Sequence, residues 1–180
     1  SVAVNEGSTA TFQVKLSAQP PGTTAVAIAT NNAGAATASP ASLSFTTSNY
    51  ATYQTVTVTG VNDADVADES VTFTLSASGA TGATVTASVN DNDTQAVVVS
   101  PTSKTVIEGA TGTFTVKLAY QPSASTTVNV ASSATGVATV SPASLTFSTA
   151  NYGTTQTVTI TGAQDANTVT NTATVTASAS

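Results

Sequence analysis

The chain has 180 residues, of which 39 are Thr, three are Lys and nine are Asp or Glu, and it contains no Arg, His, Cys, Met or Trp. A net charge of -6 excludes an electrostatic nucleic-acid binder, which needs a basic face to displace counterions from phosphate. The missing residue types exclude disulfides, thiol chemistry, zinc or copper sites and His-based acid–base catalysis, so no enzyme is expected.

Residues 1 to 78 align with 103 to 180 at a constant offset of 102, without a gap, and 41 of the 78 pairs are identical. NEGSTATFQVKL at Asn5 to Leu16 recurs as IEGATGTFTVKL at Ile107 to Leu118, and SPASLSFTTSNYATYQTVTVTG at Ser39 to Gly60 recurs as SPASLTFSTANYGTTQTVTITG at Ser141 to Gly162. Two tandem domains of one fold follow, 1–93 and 94–180. Ala96 to Thr102 has no counterpart before Ser1, and Gly79 to Asp93 has none after Ser180. The expectation is a window from a longer array, or an open second domain that receives a strand from a neighbouring subunit.

Apolar and small polar residues alternate with a period of two, the pattern of half-buried antiparallel strands. In chain order, the inward sets are Phe12, Val14 and Leu16; Val26 and Ile28; Leu43 and Phe45; Val56 and Val58; Val71, Phe73 and Leu75; and Val85 with Val89. A strand preceding these is complete only in the second repeat, around Val97 to Val106. Seven short strands in about 100 residues, separated by Gly-, Pro- and Asn-rich turns, fit an all-β immunoglobulin-like sandwich in each repeat, the second lacking its last strand. Thr55, Thr57 and Thr59 face outward, where a β-branched side chain suits a pleated surface. No apolar run approaches the ~18 residues of a membrane span, so no membrane insertion is expected.

Strand alternation carries three segments to one pole of the first domain: the turn before Phe12, the loop after Val58 and the residues after Val89. Seven of the nine acids sit there, namely Glu6, Asp63, Asp65, Asp68, Glu69, Asp91 and Asp93. Crowded carboxylates repel unless a cation neutralises them, and an oxygen-only ligand set selects a hard ion such as Ca²⁺. In the second repeat Glu108 and Asp165 remain, while Asn167, Thr170 and Asn171 replace Asp65, Asp68 and Glu69. Weak or no calcium binding is expected at that pole.

Other chemistry is poorly supplied. Parity places Lys15 on the solvent side, whereas a Lys crosslinked to a neighbouring strand must be buried beside a carboxylic acid. The paired acids lie in a loop with no Trp to line a sugar cleft, which argues against glycosidase chemistry. Tyr50 and Tyr152, repeated after Asn49 and Asn151, read as plugs over the sandwich end.

The EGxxxTF start, the SLSF to QTVTVTG strand pair, the VNDADVADESVTF loop and the closing DND resemble the Calx-β repeat and related immunoglobulin-like repeats of large bacterial surface proteins. The resemblance implies calcium held by acids of the first turn, the long loop and the domain end, which map onto the seven acids named above. It further implies a structural module of a secreted or cell-surface protein, a stalk that extends and presents other domains, with neighbouring repeats as its partners. Two alternatives stand beside that expectation: a filament or surface-layer subunit completed by strand donation, and an accessory module of a secreted enzyme that binds a glycan or cell-surface ligand.

Overall fold

The computed structural model describes residues 1–180 as an all-β chain without helices; no helix is therefore long and apolar enough to cross a membrane. It divides into two compact units, Ser1–Asp63 with Ala67–Asn92, and Ala64–Val66 with Asp93–Ser180. Each has the sandwich-like, immunoglobulin-like arrangement of sheets that the alternation predicts.

Unit 1 comprises β1 (Val2–Asn5), β2 (Thr9–Val14), β3 (Thr24–Thr30), β4 (Ala36–Ser39), β5 (Ser42–Phe45), β6 (Gln54–Gly60), β7 (Glu69–Ser76) and β8 (Ala83–Asn90). One sheet has the order β1-β8-β7-β3-β5 and the other β2-β6-β4. Val26, Ile28, Leu43, Phe45, Val56, Val58, Val71, Phe73, Leu75 and Val89 are buried, while Phe12, Val14, Leu16 and Val85 pack half-buried against them. Burying such side chains at about 25 cal/mol per Å² of apolar area is the main force holding the two sheets together. The Phe12 and Phe73 rings approach with centroids 6.3 Å apart.

Unit 2 comprises β9 (Val97–Ser100), β10 (Thr111–Leu118), β11 (Thr126–Ser132), β12 (Ala138–Ser141), β13 (Ser144–Phe147), β14 (Gln156–Gly162) and β15 (Val175–Ala179). Its sheets have the orders β12-β14-β10-β9 and β13-β11-β15. Phe114, Val116, Leu118, Val128, Val130, Leu145, Phe147 and Val158 form its core.

Three readings of the strands need correction. The sequence suggests no strand at Ala36–Ser39, yet β4 pairs antiparallel with β6; its small Ala, Thr and Ser side chains hide the usual alternation, and Pro40, which has no N–H, marks the step to β5. The strand expected at Val97 to Val106 stops at Ser100, ahead of Pro101. Beyond it, residues 104–107 form no strand, whereas their counterpart in unit 1, β1, pairs in parallel with β8; β9 itself pairs antiparallel with β10. Finally, Glu69 belongs to the strand β7, opposite Val89, and not to the loop before it.

Candidate metal centre

The centre of unit 1 begins with a turn that the sequence EG dictates. Gly7 has φ +66°, a left-handed conformation natural to Gly, and its N–H donates to the Gly60 carbonyl at 3.1 Å. Glu6 donates its own N–H to the Asn90 carbonyl at 3.1 Å, and Asn92 donates its side-chain amide to the Glu6 carbonyl at 3.2 Å. The turn between β1 and β2 is thus fastened both to the end of β6 and to the end of β8. Glu6 is the one buried acidic side chain, 3% exposed.

The loop between β6 and β7 supplies the next groups. Asp63 donates its backbone N–H to Glu6 Oε1 at 3.2 Å, and the carboxylates of Glu6, Asp63 and Glu69 each place an oxygen within 4.8 Å of the other two. Asp91, just past β8, brings a carboxylate oxygen within 4.8 Å of Glu6 and within the same distance of Asp63. Asp68 acts on the backbone instead, its Oδ1 accepting the Asp91 N–H at 2.8 Å and so positioning the segment that carries Asp91. Glu6 Oε2, Glu69 Oε2 and Asp91 Oδ2 are withdrawn from solvent. Asp65 and Asp93, both half-buried, fall within the second unit.

The donor set suits one hard cation. Oxygens that share a Ca²⁺ at 2.3–2.6 Å can lie at most about 5 Å apart, and the 4.8 Å grouping falls inside that limit. Two carboxylates at that distance repel by roughly 1 kcal/mol at the dielectric of water and by ~3.5 kcal/mol at an effective dielectric of 20. Residues 6, 63, 69 and 91 come from four places in the chain, so the fold concentrates negative charge that the extended chain disperses.

The corresponding pole of unit 2 keeps the turn and changes the charges. Gly109, with φ +70°, donates to the Gly162 carbonyl at 3.0 Å. Glu108 is exposed, and Asp165 is satisfied by nitrogen donors: the Asn167 N–H at 2.8 Å on Oδ1 and the Asn171 amide at 3.4 Å on Oδ2. Asn171, at the position of Glu69, thus provides a hydrogen where unit 1 presents another carboxylate.

Sequence reasoning missed the asparagines of this region. Asn90 donates its side-chain amide to Asn5 Oδ1 at 3.1 Å, and Asn92 secures the Glu6 carbonyl; the only signal was their position beside the acids. No protein-family model and no curated protein matches the chain.

Proposed function

We propose that the chain is a structural, non-catalytic repeat module of an extracellular or cell-surface protein, a stalk segment of the Calx-β type that calcium stiffens at the pole of the first repeat. The observation that carries the reading is the mutual 4.8 Å approach of the Glu6, Asp63 and Glu69 carboxylates in a chain with only three Lys and no Arg. Glu6, Asp63, Glu69 and Asp91 would hold the ion, with Asp68 positioning Asp91. Bound there, calcium supplies positive charge that offsets carboxylate repulsion. The residues of the chain do the rest, tying the β1–β2 turn, the β6–β7 loop and the segment after β8 into one group.

A stalk needs little beyond this. The Asp91-Asn92-Asp93-Thr94-Gln95 stretch leads within a few residues into β9, so ordering its first residues restricts the joint that follows. Calorimetric titration of the 180-residue chain with calcium tests the site, and small-angle scattering with calcium and with chelator tests the stiffening. One bound ion and a narrower distribution of dimensions are expected. Absence of binding heat together with identical scattering curves would leave a plain sandwich array with a solvated acidic loop.

A further inference from the structure

We infer that the β4–β5 side of unit 1 and the β12–β13 side of unit 2 are closed to strand addition by amide side chains, and that Gln54 and Gln156 are the residues that keep neighbouring copies from pairing edge to edge. This closure does not depend on the cation centre of unit 1, and it is built twice, once in each repeat.

β5 is the last strand of its sheet. Its sequence SLSF alternates exposed Ser with buried Leu43 and Phe45, a short neutral strand of the kind that recruits another through its outward N–H and C=O groups. Charge is the common protection at such an edge, and here it is missing: no Lys, Asp or Glu lies between Lys15 and Asp63, or between Lys117 and Asp165. The register shows which groups face out. Ile28 donates its N–H to the Ala41 carbonyl at 2.9 Å, so in the antiparallel pairing of β5 with β3 residues 41, 43 and 45 turn their backbone groups toward β3, while Ser42, Ser44 and Thr46 turn theirs away.

Side chains and the following turn occupy most of these outward groups. Gln54, on β6 of the opposite sheet, donates its side-chain amide to the Ser44 carbonyl at 2.8 Å. Thr46 donates its N–H to Asn49 Oδ1 at 2.5 Å, and its carbonyl accepts the Tyr50 N–H at 3.1 Å. An added antiparallel strand needs the N–H and C=O of one residue for each closely spaced pair of bonds, and of the three outward residues Ser42 alone still offers both. The adjoining edge, β4, is no better a template. Val61 donates to the Ala35 carbonyl at 2.8 Å, so Ala36 and Ala38 are the outward residues of β4; Ala36 is buried and donates to the Asn32 carbonyl at 3.2 Å, and Pro40 has no N–H to offer. Unit 2 repeats the closure on β13: Gln156 donates its amide to the Thr146 carbonyl at 2.7 Å, Ser148 donates its N–H to Asn151 Oδ1 at 2.6 Å, and Tyr152 donates its N–H to the Ser148 carbonyl at 3.1 Å. In a stretch without charge, amides thus take the place of edge charges in both repeats.

The test compares the intact chain with Gln54→Met, which keeps the length of the side chain and removes its donor. In sedimentation over a concentration series the variant should associate at least about ten-fold more tightly than the parent, and its Ser42 and Ser44 amides should exchange at least about ten-fold more slowly at high than at low concentration. In the parent those amides should exchange at a rate independent of concentration, as should Ser144 and Thr146 in the variant. Gln156→Met should exchange the roles of the two units, and it decides the matter on the same readouts if Gln54→Met fails to fold. Adding Ser44→Pro to Gln54→Met should restore the parent's behaviour, because the Ser44 N–H faces away from β3 and its removal breaks no bond of the sheet. A folded Met variant that associates no more tightly than the parent would overturn the proposal. So would association that survives Ser44→Pro, or that leaves Ser42 and Ser44 unprotected, because its source would then be a loosened fold and not an opened edge.

Discussion

Gly60 lies against the backbone oxygen of Asn5 with no room for a side chain: a Cβ there would sit 2.6 Å from that oxygen. The contact holds the end of β6 against the turn that presents Glu6, and two hydrogen bonds, Gly7 N–H to the Gly60 carbonyl and Gly60 N–H to the Ser8 carbonyl, lock it. Unit 2 repeats the contact between Gly162 and Ile107, where a Cβ would lie 2.7 Å from the backbone oxygen.

Gly60→Ala should therefore force the turn away from β6. Overpacking against backbone, which has no rotamer to yield, costs about 1–3 kcal/mol. Urea or thermal unfolding should show unit 1 destabilised by that amount and unit 2 untouched, with Gly162→Ala giving the reverse. A Gly60→Ala chain as stable as the parent would mean that the turn relaxes freely and does not fix the position of Glu6.

Glu6→Gln separates the electrostatic and structural roles of the buried acid. The amide keeps the size of the side chain and an oxygen to accept the Asp63 N–H, and it removes one charge from the group formed with Asp63 and Glu69. In chelator, the variant should be as stable as the parent or more so. In about 10 mM calcium the parent should gain roughly 1.4–2.7 kcal/mol if its dissociation constant is ~10⁻⁴ to 10⁻³ M, and the variant should gain much less. The measurement is scanning calorimetry in both conditions. Equal calcium stabilisation of the two proteins would remove Glu6 from the ligand set.

The sheets were legible where side chains are large. Phe45, Val56, Val58, Phe73 and Val89 alternate with polar neighbours, and each is buried as that alternation requires. Val4, Ala35, Ala36 and Ala87 are also core residues, but Ala is common on both faces of this chain and gives no period to read. The pairing of β1 was hidden for a different reason: it lies parallel to β8, far along the chain, and no local pattern encodes a partner. At the acid pole, Glu6 and Asp91 could be placed by counting strands. The hydrogen bond from Asp91 N–H to Asp68 depends on loop geometry that periodicity does not reach.

The unequal cores of the two repeats lead to opposite outcomes for paired substitutions. Leu75 is 5% exposed in unit 1, and Leu75→Ala should cost about 2–5 kcal/mol through lost burial and the cavity left behind. Its counterpart Ala177 borders the open cleft of unit 2, so Ala177→Leu adds apolar area without displacing packed neighbours. That substitution should be neutral or stabilising, by up to about 2 kcal/mol. Thermal unfolding of the two single variants decides the matter, and a strongly destabilised Ala177→Leu chain would mean that the cleft is too shallow to take the side chain.

Asn171→Glu should carry the charge pattern of unit 1 into unit 2. Glu108, Asp165 and the new carboxylate would occupy the positions of Glu6, Asp63 and Glu69, on a turn held by the same Gly109 to Gly162 hydrogen bond. Losing the Asn171 amide that donates to Asp165 and adding a third negative charge should destabilise unit 2 in chelator. Calcium should reverse that loss, and the calorimetric stoichiometry should rise from one ion to two. The second ion should bind more weakly than the first, because unit 2 has no carboxylate in the place of Asp91 and Glu108 is exposed. If millimolar calcium produces no additional heat and leaves unit 2 of the variant destabilised, three carboxylates on this turn are not sufficient for binding, and the groups around Asp91 carry more of the affinity in unit 1 than Glu69 does.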